Sequence, residues 1–159
     1  MNAITNAPQD LVIATCDTID IRFAGVRFEN APNSVGRGAG QPSIRFHLTG
    51  VRGQETMSRD NQFQRDLEEW AARRKTEGPD SVAPLSKMPG VVVFERITTQ
   101  ITDDVGTEYR WAGGRVAGGG TEWDATWFFQ PAPPLGARTL RFEFSVDGEA
   151  TGKHCEVSL

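Results

Sequence analysis

The chain reads as a mainly β protein, an antiparallel β-sandwich of about eight strands with one α-helix inserted at about residues 60–76. Three observations predict this class. Short segments with a side-chain period near two recur through the sequence, separated by Gly, Pro, Asn and Asp turn signals. A single window, from Phe63 to Arg74, switches to helical spacing. No strand–helix–strand alternation of the kind that builds a parallel sheet is present.

The elements follow in order. Asp10 to Cys16 is an apolar run built on Leu11, Val12 and Ile13. Ile19, Ile21 and Phe23 then alternate with Asp20 and Arg22, as in a half-buried strand. The alternation changes face at Ala24-Gly25, which predicts a bulge. NAPNSVGRGAGQP, residues 30–42, is loop by composition. Ser43 to Val51 sets Ile44, Phe46 and Leu48 on one face and Arg45 and His47 on the other.

Phe63, Leu67, Trp70, Ala71 and Arg74 form the narrow stripe of a helix that Ser58 or Asp60 can cap and Gly78-Pro79 ends. Such a stripe suits a helix laid across one edge of a sheet. The apolar start of Val91 to Thr102 predicts the longest and a central strand, and Thr107 to Ala112 returns from it after an Asp103–Gly106 turn. GGRVAGGG, residues 113–120, reads as a flexible connection. Glu122 to Gln130, Arg138 to Val146 and Thr151 to Leu159 complete the strands, with PAPPLGA as a rigid corner. The whole, residues 1–159, is expected to be one domain carrying a helical insertion at about 52–90.

In the strand EWDATWFFQ, Trp123, Ala125, Trp127 and Phe129 share a face, and the opposite set is mostly polar. The aromatic set is therefore assigned to the core rather than to a sugar platform. Trp111, beside a glycine-rich stretch, is the candidate exposed indole and the candidate ligand-binding residue.

No catalytic constellation emerges. His154 and Cys155 are adjacent in a strand and point to opposite faces. His47, opposite an apolar face, reads as a surface histidine. Asp103, Asp104 and Glu108 place three carboxylates around a turn but lack any calcium-loop spacing, so turn chemistry is their expected role. GRGAG at residues 36–40 and GGRVAGGG have neither the flanking elements nor the Gly-Lys-Ser/Thr of a phosphate loop. No cofactor or metal is therefore expected.

With 17 basic against 21 acidic residues and a net charge of −4, the chain does not have the composition of a nucleic-acid binder. The Arg73-Arg74-Lys75 triplet is flanked by Glu68, Glu69 and Glu77, as on a solvated helix face. The N-terminus has no basic region, and its apolar run is too short for a signal sequence or a membrane span. Cytoplasmic residence is the expectation, with Cys16 and Cys155 as thiols.

The order ITDDVGTEYRW, a glycine-rich gap, then TEWDATWFFQPAPPLGARTLRFEF resembles a loose group of uncharacterised actinobacterial proteins with immunoglobulin-like β-sandwich domains. The likeness covers roughly residues 101–146. It implies an immunoglobulin-like arrangement of the sandwich and carries over no catalytic residue. The functional expectation is a non-enzymatic protein-interaction or accessory module, resting on the missing catalytic constellations and on an inserted helical segment that a sandwich does not explain. The alternative is a small-ligand or carbohydrate-binding module that uses Trp111 and the loops around GGRVAGGG.

Overall fold

A computed structural model describes residues 2–117 and 121–159. The strands are β1 (Leu11–Cys16), β2 (Ile19–Asn30), β3 (Pro42–Gly50), β4 (Ile97–Asp103), β5 (Arg110–Val116), β6 (Asp124–Gln130), β7 (Thr139–Val146) and β8 (Glu149–Ser158). Helices α1 (Gln54–Glu77) and α2 (Pro89–Phe94) lie between β3 and β4. All pairings are antiparallel, in a five-stranded sheet of order β1-β2-β3-β6-β5 and a three-stranded sheet of order β4-β7-β8. This is the predicted sandwich of eight strands. With β3 taken out, the order becomes that of the two sheets of an immunoglobulin constant domain. The extra strand reverses β6 and β5 relative to β1 and β2.

Period-two alternation explains the core. Ile13, Ile21, Phe23, Ile44, Phe46 and Leu48 face inward from the large sheet, and Leu140, Phe142, Phe144 and Val157 meet them from the small one. The ring of Phe46 touches four others: Phe23, Trp127, Phe129 and Phe142, at centroid distances of 6.0, 5.8, 5.6 and 5.2 Å. Trp123, Ala125, Trp127 and Phe129 are all buried, as their alternation required. The register slip between Phe23 and Val26 is the bulge expected at Ala24-Gly25.

Three expectations about strands and their connections fail, each for a tertiary reason. VVVF is not the start of a central strand: Val91 to Phe94 lie in α2, and β4 begins only at Ile97, on the edge of the small sheet. Pro89 starts the helix, and one turn lets both Val93 and Phe94 enter the core, each fully buried. Packing here outweighs the strand preference of three consecutive valines. The second failure is the hairpin, because β4 and β5 belong to different sheets and the turn between them is a crossover.

The third concerns the glycine stretch. Gly113 to Val116 belong to β5, whereas residues 118–120 lie outside the described residues. A Cβ on Gly114 would come within 2.5 Å of Trp127 Cδ1 and 2.4 Å of the Thr126 carbonyl oxygen. One on Gly113 would meet Val35 at 3.0 Å. These glycines are strand residues that admit close neighbours, not a flexible tether.

Helix α1 is longer than expected, starting at Gln54 rather than near residue 60. Its start is fixed by Thr56, whose Oγ1 accepts the Gly53 N–H at 2.8 Å, so neither Ser58 nor Asp60 acts as the cap. Asp60 instead accepts the Trp123 indole N–H at 2.9 Å. Only Thr56 and Phe63 of this helix are buried. Its first turns are fastened by charge. Arg59 Nη2 donates to Asp17 Oδ2 at 2.7 Å, and Arg96 joins the same oxygen (3.0 Å) to Asp147 (2.8 Å). Asp17 and Asp147 are hairpin-turn residues at φ of 51° and 52°. Further along, Trp70 donates its indole N–H to the Ala83 carbonyl, beneath the Arg74 guanidinium.

Cys16 and Cys155 are free and buried, one in each sheet. Burial pushes the Cys155 thiol up to about 12, and burial also raises Cys16 despite the opposing charge of Arg96. Both are expected to resist a thiol reagent at pH 8 in the folded protein and to react fully in guanidinium. Rapid native labelling of either, followed by mass spectrometry, would contradict this packing.

Candidate binding cleft at the end of the large sheet

A cleft of about 760 Å³ opens where the residue 30–42 loop meets the ends of β5 and β6, lined by Val35, Arg37, Gly38, Gln41, Arg110 and Trp111 among others. The loop is firmly shaped. Ala31 N–H donates to the Gln41 carbonyl, Gly40 N–H to the Ala31 carbonyl, and two 3-10 turns fill Asn33–Gly38. Gln130 Nε2 donates to the Gly38 carbonyl at 2.7 Å and to Ser43 Oγ at 2.9 Å. The fully buried Ser43 in turn donates its hydroxyl to the Gln41 carbonyl. GRGAG is thus an ordered wall whose glycine at 38 makes room for the Gln130 amide. Val35 packs over Gly113, the cross-strand partner of Phe128, and this cover explains how Phe128 is buried on the otherwise polar face of β6.

Trp111 is 63% exposed, as the sequence suggested for this indole. It stands opposite Phe129 on the terminal strand of the five-stranded sheet. Several arginines elsewhere are paired, Arg27 and Arg45 with Glu29, Arg59 and Arg96 with Asp17, Arg73 with Glu77, and Arg141 with Glu143 and Glu156. Arg37 and Arg110 in the cleft, and Arg115 further along β5, are exposed and have no ion-pair partner among the described residues. The sequence alone does not reveal this group, because Arg37 and Arg110 are far apart along the chain and come to one cleft only through the fold.

His47 lies on the outer face of the large sheet, outside the cleft, with Nδ1 against the Thr126 hydroxyl and Nε2 3.8 Å from Asp124. Burial and then Arg45 lower its pKa, against the pull of Asp124, so it is neutral near pH 7. The acid stands beyond hydrogen-bond reach, so the trio lacks the base–orienter contact of a catalytic relay. His154 is 4.0 Å from Glu156 on the outer side of β8, while Cys155 faces the core, as adjacent strand positions require.

Asp103 and Asp104 cap the crossovers between sheets. Asp103 accepts the N–H groups of Val105 and Thr107 through Oδ1 and the Tyr109 hydroxyl through Oδ2 at 2.7 Å. Asp104 Oδ1 accepts from the Arg138 and Thr139 N–H groups. Among the described residues no group of three metal-ligating side chains is assembled, and no helix is long and apolar enough to cross a membrane.

These carboxylates are expected to make the fold acid-sensitive. Burial opposes ionisation of Asp103, but the bonds from Thr107 and Tyr109 outweigh it and bring the group down to about 2. Backbone donors lower Asp104, and arginine bonds lower Asp17 and Asp147. A folded pKa below the unfolded value near 4 stabilises the protein above about pH 4, and this contribution disappears as pH falls toward 2. Melting temperature is therefore expected to fall through that window, and Asp103→Asn to flatten the fall. An equally steep acid limb in the variant would reject the assignment.

No family model, curated protein or solved structure matches this chain. Fold and cleft define it by themselves, as an antiparallel β-sandwich with a preformed, cationic, tryptophan-bearing cleft at one end of its larger sheet.

Proposed function

We propose that the protein is a non-enzymatic binding module that receives a protein partner at the Trp111 cleft. The observation that carries this reading is the meeting of an exposed tryptophan with two unpaired arginines on walls held by partly buried hydrogen bonds. Tryptophan and arginine are the side chains that most often anchor protein interfaces. Rigid walls also spare the entropy of ordering a site on binding.

The test compares affinity capture by the wild-type chain with capture by Trp111→Ala/Arg110→Ala. Both side chains are exposed, so the melting temperature is expected to stay unchanged. A partner retained by the wild type and lost by the variant, then reconstituted from purified components, is the expected result. A partner held equally by both places recognition elsewhere.

The exposure of Trp111 also favours a second reading, a carbohydrate-binding cleft in which the indole stacks on a sugar. Fluorescence titration against a glycan panel decides it. A signal present in the wild type and absent from Trp111→Ala supports it, and silence across the panel removes it.

A further inference from the structure

We infer that the partner presents an extended acidic segment, which adds to the free edge of β5 as a sixth strand of the large sheet. This rests on the cleft being the recognition site. β5 is a terminal strand of its sheet, and its far edge has no strand partner among the described residues. The opposite terminal strand, β1, packs against β7 and β8 of the other sheet. The Asn33–Gly38 turns lie against β5 on the face where a Cβ on Gly113 would point, and α2 also touches the strand. An uncovered edge offers main-chain N–H and C=O groups to any compatible strand.

Charge selects which strand that is. Arg110 and Arg115 stand opposite Gln130 and Thr126, on the polar face of the sheet, and Arg37 lies beside Arg110 in the cleft. Like charges placed side by side disfavour pairing of two β5 edges, whereas a strand bearing carboxylates at alternate positions meets both arginines. In the small sheet, terminal strand β8 packs against β1, and the edge of the other terminal strand, β4, offers only Thr and Gln between its apolar residues until Asp103 and has no such cationic row. An acidic strand on β5 also leads directly into the cleft at the Arg110 end, where Trp111 is exposed.

The probe is a fluorescent peptide of roughly eight residues alternating glutamate and valine, about the length of an ordinary strand. The controls are a lysine–valine counterpart and a glutamate peptide of equal charge broken by proline. Anisotropy with the full chain measures affinity, and amide exchange locates the contact. The expected result is binding of the glutamate–valine peptide alone, with new protection of amides in Arg110–Val116. Arg110→Ala/Arg115→Ala is expected to weaken it about fivefold, and added salt to weaken it further.

Absence of binding by the glutamate–valine peptide overturns the inference. So does binding without protection in β5, or equal binding by the proline-broken peptide. None of these results touches the cleft reading, which fails separately when the captured partner ignores Trp111→Ala/Arg110→Ala.

Discussion

Trp127→Ala is expected to lower the free energy of unfolding by about 3–5 kcal/mol, the range for truncating a large aromatic side chain in a core. Trp127 is 8% exposed and meets Phe46 edge-on at 5.8 Å and 81°. Its indole also lies over Gly114, so close that a Cβ there would collide with it. Two strands are thus shaped around one ring, and the remaining alanine would leave a cavity over Gly114 on the inner face of the sheet, where the paired backbones cannot move in to fill it. Urea unfolding followed by circular dichroism measures the loss. A variant of unchanged stability that had lost binding of a ligand would make Trp127 a recognition residue instead.

Phe46→Ala is expected to cost as much, again about 3–5 kcal/mol, since its ring is 1% exposed and joins the aromatic groups of both sheets. The contact with Phe142, at 5.2 Å and 70°, is the one that crosses between the sheets. Edge-to-face aromatic pairs contribute about 0.5–1.5 kcal/mol beyond their buried area. The double variant Phe46→Ala/Trp127→Ala should therefore fall short of the sum of the single losses by an amount of that order. Strict additivity would mean that the two rings do not act on each other.

The same strand illustrates how much a single sequence reveals. Along β6, alternation alone distinguishes the buried Trp123, Ala125, Trp127 and Phe129 from the polar side, because side-chain direction in a strand is a local property. Phe128 breaks that rule, being buried on the side where Val35, from a distant loop, packs on its cross-strand neighbour Gly113. The single helical window likewise yields α1 but misplaces its start, since Gly53 and Thr56 carry no apolar periodicity. Trp111 was legible as an exposed indole, but Arg37 and Arg110 were not legible as its neighbours.

The acidic pair at the first crossover follows the same division. Asp103 and Gly106 announce a turn by composition, and the chain does turn there. Nothing local says whether a turn returns to the same sheet or crosses to the other. Asp104 capping the Arg138 and Thr139 amides, from the strand that pairs with β4, belongs to that long-range decision.

By itself, then, the sequence determined the β class, the inward face of most strands, the bulge at Ala24-Gly25 and the presence of one long helix. These follow from side-chain periods of two and 3.6 and from turn chemistry, which act over a few residues. Only the tertiary structure decided that VVVF coils into α2, that the glycines at 113 and 114 are strand residues, and that β5 ends the sheet beside a cationic cleft. Those features depend on which distant segments come to share a surface, and close packing between them outweighs local preference wherever the two disagree.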